Sequence, residues 1–333
     1  MSTGEEKHCA HCGKQASHRC LFCVGAPEYK AGDAVETMYC NKRCQKKGWV
    51  SHKYRCKKLQ KRIALCRVGK IMEAVALAYR EHVFPVNYKA IEMRDGVLCF
   101  DFDPYAGPKL GKFPEGLTSD KNLRKAALLN NMCVTVLHLL SPLAKHFFPA
   151  FRAILITTFD VIATPFIPIQ LTTNYDFKPL HTILKVSLEE ENWALDITAR
   201  QFGYPEIVQP WDDYLRQKML SSKSPKYMGI YHTHDIMGDL VEILEEPGAM
   251  SQSFLIRHHT DCRARMHFVE FAYSRFNERS AKDFLSGSDE VFQKKVDELA
   301  GEVKELMAKF MEDYEQVTWT LNDCHQETPD QTP

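Results

Sequence analysis

Eight residues near the N-terminus have the types and spacing to hold metal: Cys9, Cys12, Cys20, Cys23, Cys40, Cys44, His52 and Cys56. They fall into four pairs, Cys9-x2-Cys12, Cys20-x2-Cys23, Cys40-x3-Cys44 and His52-x3-Cys56. A C-x2-C knuckle turns the chain so that both thiolates face inward, and residues four apart share one face of a helix. Four pairs make two tetrahedral S/N sites, the coordination Zn²⁺ prefers. Spacing alone leaves open whether the pairs combine in sequence or crosswise. His8, His11 and His18 break the pair spacing and are left out. With every coordination position filled by protein, the two zinc ions are expected to be structural, not catalytic. A segment of about 48 residues buries too little apolar surface to fold alone, and zinc binding supplies roughly 10–16 kcal/mol that becomes folding energy.

A second set is spread through the chain: Cys133, His181 and Asp196, in that order. A histidine can deprotonate a thiol, and an aspartate can fix the imidazole tautomer. His181 opens a predicted strand; Trp193-Ala194-Leu195-Asp196-Ile197-Thr198 follows, then Gln201-Phe202-Gly203. This arrangement resembles the His and Asp strands of transglutaminase-like and other papain-like thiol enzymes. Two readings oppose it. Cys133 is expected well inside an apolar helix, where a thiol is inert. A hairpin centred on Glu189–Asn192 would also set His181 opposite residue 200 or so, away from Asp196. The body is therefore read first as non-enzymatic, with a thiol enzyme, active or degenerate, as the alternative. A SET methyltransferase is set aside: Asn130-Asn131-Met132-Cys133 matches its signature poorly, and there is no Gly-rich cofactor loop. His232/His234, His258-His259 and Cys324-His325 lack partners at ligand spacing and are expected to be surface or core residues.

The stretch Cys9–Cys56 resembles the MYND zinc-finger family. The resemblance implies crossed pairing, with Cys9, Cys12, Cys40 and Cys44 on one ion and Cys20, Cys23, His52 and Cys56 on the other. It further implies docking of proline-containing peptide segments of other proteins, often in transcriptional regulation, on the helix between Cys44 and His52. Gln45 and Trp49 stand there, four apart and on one face. A Trp ring offers proline a flat apolar platform, and a Gln amide can bond a peptide backbone. The competing reading packs Trp49 into the finger's own core. The gap between Cys23 and Cys40 is longer than in many members, because GAPEYKAGDAVET inserts a loop. Residues 192–219 also resemble the body of uncharacterised fungal proteins that bear a MYND finger, which implies a fungal, intracellular protein.

The elements that must position these residues follow from composition and periodicity. The chain is 44% apolar and 26% charged with no net charge, as globular domains are. No run of eighteen apolar residues predicts a membrane span, and the N-terminus has no secretory pattern. Seven of twelve cysteines crowd the first 56 residues, which points to metal in a reducing compartment, nucleus or cytoplasm. Residues 42–70 carry twelve Lys or Arg and no acid. Such a stripe suits nucleic acid or nuclear import, or more simply a solvated helix face.

The predicted organisation is a polar tail (1–8), the finger (9–56), a linking helix (57–83), a body (84–320) and a disordered tail (321–333). The linking helix shows apolar residues at Leu59, Ile63, Cys66, Ile71 and Val75. In the body, short strands are expected to residue 118, then a helix capped near Ser119-Asp120 and stopping before Pro142. Buried strand is expected over 152–173, then strands His181–Leu188 and Trp193–Thr198, and helices from about 211. The fold class is α+β: a small two-zinc finger followed by a mixed, largely helical α+β domain.

Overall fold

In the computed structural model, one helix belongs to both the cysteine-rich segment and the body. The structure describes residues 7–86, 88–102, 109–150, 155–163, 169–171, 180–222 and 252–313. Helix α1 (Lys42–His82) is 41 residues long. Asn41 caps it, its Oδ1 accepting from the Cys44 backbone N–H at 2.9 Å. At the far end, buried Arg80 donates to the carbonyl of Val83, the residue that caps the helix, at 2.6 Å and to that of Leu128, in a later helix, at 2.8 Å. The first half of α1 carries Cys44, His52 and Cys56; the second buries Leu65, Val68, Met72, Val75 and Tyr79 in the main core. The expected boundary at residue 57 thus falls inside a continuous helix. The buried face also differs from the predicted stripe, with Ile63 and Cys66 only half-buried.

In the finger, β1 (His18–Arg19) pairs with β2 (Met38–Tyr39). Beyond α1, β3 (Phe84–Pro85) pairs with β6 (Leu110–Gly111). The hairpin β4 (Tyr88–Arg94) and β5 (Val97–Phe102) is joined by β8 (Ile169–Leu171), parallel to β5. The main sheet runs β11 (Val208–Pro210), β10 (Glu191–Leu195), β9 (Leu180–Leu188), β7 (Leu155–Ala163), β12 (Met219–Ser222), antiparallel throughout. Helices α2 (Lys121–Leu129), α3 (Cys133–Ala150), α4 (Trp211–Lys218), α5 (Gln252–Arg275), α6 (Glu278–Phe284) and α7 (Asp289–Glu312), with a 3-10 turn at Ala199–Phe202, complete the described elements. Residues of α1, α3, α5, α7 and the sheet share one hydrophobic core. The fold is mixed α+β behind a small N-terminal finger. No single described helix is long and apolar enough to cross a membrane.

Three departures from the sequence reading matter for function. The helix expected from Ser119-Asp120 to Pro142 is two helices, broken at Asn130–Met132, where Asn131 takes φ +54°. Asparagine tolerates this left-handed conformation better than most residues. Helix α3 then continues through Pro142. Proline supplies no N–H to the His138 carbonyl, yet Ser141 Oγ and Arg265 Nε donate to it at 3.0 and 3.3 Å, so the break that proline normally causes is compensated. The β9–β10 turn is also tighter than expected. Glu191 already pairs with Leu188, leaving Glu189-Glu190 as the turn, with Glu189 at φ +56°. Lys61 of α1 holds the Glu189 carboxylate at 2.7 Å. The strand expected over 152–173 appears as β7 and β8 in two different sheets, and β12 joins the main sheet where helix was expected. His232, His234, Cys324, His325 and the tail 321–333 lie outside the described residues, as does the side chain of His258; His259 is buried.

Candidate metal centre and thiol site

The finger hairpin and the start of α1 bring the ligand pairs together crosswise. Cys9, Cys12, Cys40 and Cys44 form one group, and Cys20, Cys23, His52 and Cys56 the other, with ligand atoms in each all within 4.8 Å of one another. In the first, Cys12 Sγ lies 3.7 Å from Cys40 Sγ and 3.8 Å from Cys44 Sγ. In the second, Cys20 Sγ and Cys56 Sγ are 3.9 Å apart, and Cys23 Sγ is 3.5 Å from His52 Nε2. A tetrahedral ion with Zn–S bonds of ~2.3 Å requires sulfur pairs about 3.8 Å apart, slightly less for a sulfur–nitrogen pair. Both groups therefore have the dimensions of zinc sites, the first built wholly of thiolates and the second of thiolates with one imidazole.

Neighbouring groups orient the ligands, as donors behind metal thiolates do. Gln60 Nε2 donates to Cys56 Sγ at 3.1 Å and Asn41 Nδ2 to Cys40 Sγ at 3.4 Å. Thiols this close resist ionising together: Cys40 is pushed up to about 12, first by Cys44 beside it and then by burial. A divalent cation removes that conflict. Gly48 lets α1 approach the hairpin, since a Cβ there would stand 3.0 Å from the Tyr39 ring.

The family profile described as MYND finger matches residues 9–56, from the first ligand to the last. Residues 9–56 are a MYND finger. None of the curated proteins compared matches the chain, and no solved structure matches it.

The MYND finger is bolted to the body through the loop that lengthens it. Arg62, buried on α1, donates to both Asp33 oxygens at 2.8 and 2.7 Å and to both Glu191 oxygens at 2.9 and 2.5 Å. Asp33 belongs to the inserted loop and Glu191 to β10. Tyr29 of the same loop packs its ring on Trp193, centroids 5.3 Å apart, and accepts from the Asn192 N–H at 3.3 Å. The sequence reading missed this seam because Arg62 looked like one more charge in a basic stripe. Lys58, Lys61, Arg62 and Arg67 of that stripe are all paired with acids.

Gln45 and Trp49 lie on α1 and are each half-buried. Trp49 packs against the finger core, its ring edge-on to His52 with centroids 6.1 Å apart, so part of the ring serves the finger itself. Beside them Val50 is 87% exposed; on the Cys20–Cys23 knuckle Leu21 and Phe22 are 73% and 67% exposed.

In the body, the fold brings Cys133, His181 and Asp196 together. Cys133 is the first residue of α3, at the positive end of the helix dipole, not inside it as expected. The turn before it is tied down by Gln201, whose Oε1 accepts from the Asn131 N–H at 3.1 Å. The tight β9–β10 turn pairs Leu195 with Leu184, which sets Asp196 one diagonal step from His181. His181 Nε2 lies 2.9 Å from Asp196 Oδ2, and both residues are buried. The ring stands edge-on to Phe202, centroids 4.8 Å apart.

The electrostatics follow from this packing. Burial opposes a charge on His181, but the Asp196 carboxylate and the Cys133 thiol outweigh it and push the imidazole up to about 10. Burial likewise opposes a Cys133 thiolate. A hydrogen bond and charge from His181, with backbone N–H groups of Thr182 and Val134, bring the thiol below its ordinary value. A half-buried thiol facing a buried His–Asp pair is thereby biased toward a thiolate–imidazolium ion pair.

Proposed function

We propose that this protein docks proline-containing segments of partner proteins on its MYND finger, in a nuclear or cytosolic setting. The observation that carries the reading is the half-buried Gln45–Trp49 pair on α1, flanked by exposed Val50. A half-buried ring held edge-on by His52 is a low-entropy platform for proline. A role in transcriptional regulation rests on the family resemblance alone. The test is fluorescence polarisation with labelled proline-containing decapeptides. Trp49→Ala should abolish binding while two zinc ions per chain are retained. Binding unchanged in that variant, or absent in the native protein, would sink the reading.

A second reading, thiol chemistry in the body, is favoured by the convergence of Cys133, His181 and Asp196. In it the Cys133 thiolate attacks an acyl carbon and the leaving group departs with the proton held on His181. Water or an amine then resolves the thioester. Alkylation by iodoacetamide, mapped by peptide, tests this directly. Cys133 should react faster than Cys66 and Cys99, and the excess labelling should vanish in Cys133→Ala. Equal reactivity of the three thiols would rule it out.

A further inference from the structure

Among the described residues, the Asp196 carboxylate makes two close polar contacts, and both fall on one oxygen. Oδ2 lies 2.9 Å from His181 Nε2 and accepts from the Tyr214 hydroxyl at 2.9 Å. Oδ1 is buried with no hydrogen-bond partner among the described residues. Oδ2 is thus approached from two sides, by His181 of β9 and by Tyr214 of α4, and of the two only the Tyr214 hydroxyl makes a hydrogen bond to it. Tyr214 is itself buried and fixed: its ring stands edge-on to Tyr204, centroids 6.4 Å apart, and Lys218 Nζ lies 5.2 Å from its centroid. Lys218, also buried, donates to Gln209 Oε1 at 2.6 Å and is 3.8 Å from Glu206. The described titratable groups around Asp196 are therefore His181, Cys133, Tyr214, Tyr204 and Lys218.

We infer that Tyr214 is a positioning residue for the thiol site: its hydroxyl holds the Asp196 carboxylate aimed at His181, and through His181 it keeps Cys133 reactive. The inference rests on the thiol reading. A buried carboxylate stays charged only when donors replace the water it has lost, and a charge-assisted O–H donor is among the strongest available. Without that donor Asp196 is free to rotate away from His181. The imidazolium would then lose its counter-charge, and the thiol would revert toward its ordinary value. Asp196 and Tyr214 are eighteen residues apart, joined only because the 199–202 turn and β11 return the chain to α4.

The experiment is the pH dependence of Cys133 alkylation by iodoacetamide in the full-length zinc-loaded protein and in Tyr214→Phe, Asp196→Asn and the double variant. Phenylalanine keeps the ring and removes only the hydroxyl. In the native protein the rate should climb through a midpoint below the ordinary thiol value of ~8.5. Tyr214→Phe should raise that midpoint and slow alkylation at pH 7 by about tenfold, and Asp196→Asn by more. In the Asp196→Asn background the phenylalanine substitution should add nothing, because the two residues act as one unit. A native midpoint at the free-thiol value would overturn the thiol reading and this inference together. A low native midpoint left unmoved by Tyr214→Phe would overturn this inference alone. Should Tyr214→Phe not fold, native protein labelled with ¹³C at tyrosine Cζ supplies the readout. The Tyr214 resonance should shift in Asp196→Asn, and an unmoved resonance would overturn the clamp.

Discussion

The MYND finger and the thiol cluster solve the same problem, holding polar side chains together out of water, by opposite means. The finger gathers eight ligands from a short stretch in which each pair is already local, and two ions settle their charges. The thiol cluster gathers Cys133, His181, Asp196 and Tyr214 from four separate places in the chain, and the surrounding core holds them. A metal site can stand in a small domain with almost no core, whereas a buried polar constellation requires the whole body to be folded first.

The largest effect that could break this contrast concerns zinc. A strong chelator should unfold the finger, whose zinc-coupled folding energy is on the order of 10–16 kcal/mol, and leave the body folded. Limited proteolysis should then cut within residues 9–56 while the region beyond Leu65 stays protected. Simultaneous loss of both regions would mean that the body depends on the metal as well.

The seam comes next. Arg62→Leu leaves Glu191 buried with Lys58 and the Trp193 indole N–H to answer it, and should destabilise the protein by about 3 kcal/mol in thermal or urea unfolding. Acid should act in the same direction. Burial opposes ionisation of Asp33 and Glu191, but Arg62 overrides it and holds both below the usual carboxylate range. Their contribution is present above that range and is lost as pH falls from it through the lower values the two groups hold in the folded protein. A seam indifferent to pH between about 6 and 3 would show that these charges do not hold it.

The smallest effect is expected at the helix cap. Asn41→Ala removes the acceptor for the Cys44 N–H and should cost about 1 kcal/mol, seen as a modest drop in resistance to chelation with the body's melting temperature unchanged.

How much of this was legible in the sequence follows the same division. The eight ligands stand at fixed short spacings, so they can be read directly; their crossed pairing depends on how β1 and β2 fold back, and spacing is silent on that. The three residues of the thiol cluster can be singled out by type and order. Their meeting cannot, because it depends on two left-handed residues that are not glycine. Asn131 breaks the helix so that Cys133 starts a new one, and Glu189 tightens the hairpin so that Asp196 falls beside His181. Asn130-Asn131 was a signal for the first. Glu189 carried none, since its conformation is supported from outside the hairpin by Lys61. Tyr214 was out of reach for the same reason: nothing local marks a tyrosine that serves an aspartate on another element.

The length of α1 governs how a partner would be handled. At about 1.5 Å per residue its 41 residues form a rod roughly 60 Å long, clamped near its middle by Arg62. The finger is joined to the body by a continuous helix with no intervening linker, so a partner seated on it would share the body's own frame. If both proposals hold, whether a docked chain reaches Cys133 would be set by that chain's own contour length, as with a workpiece held in a vice at a set distance from the tool.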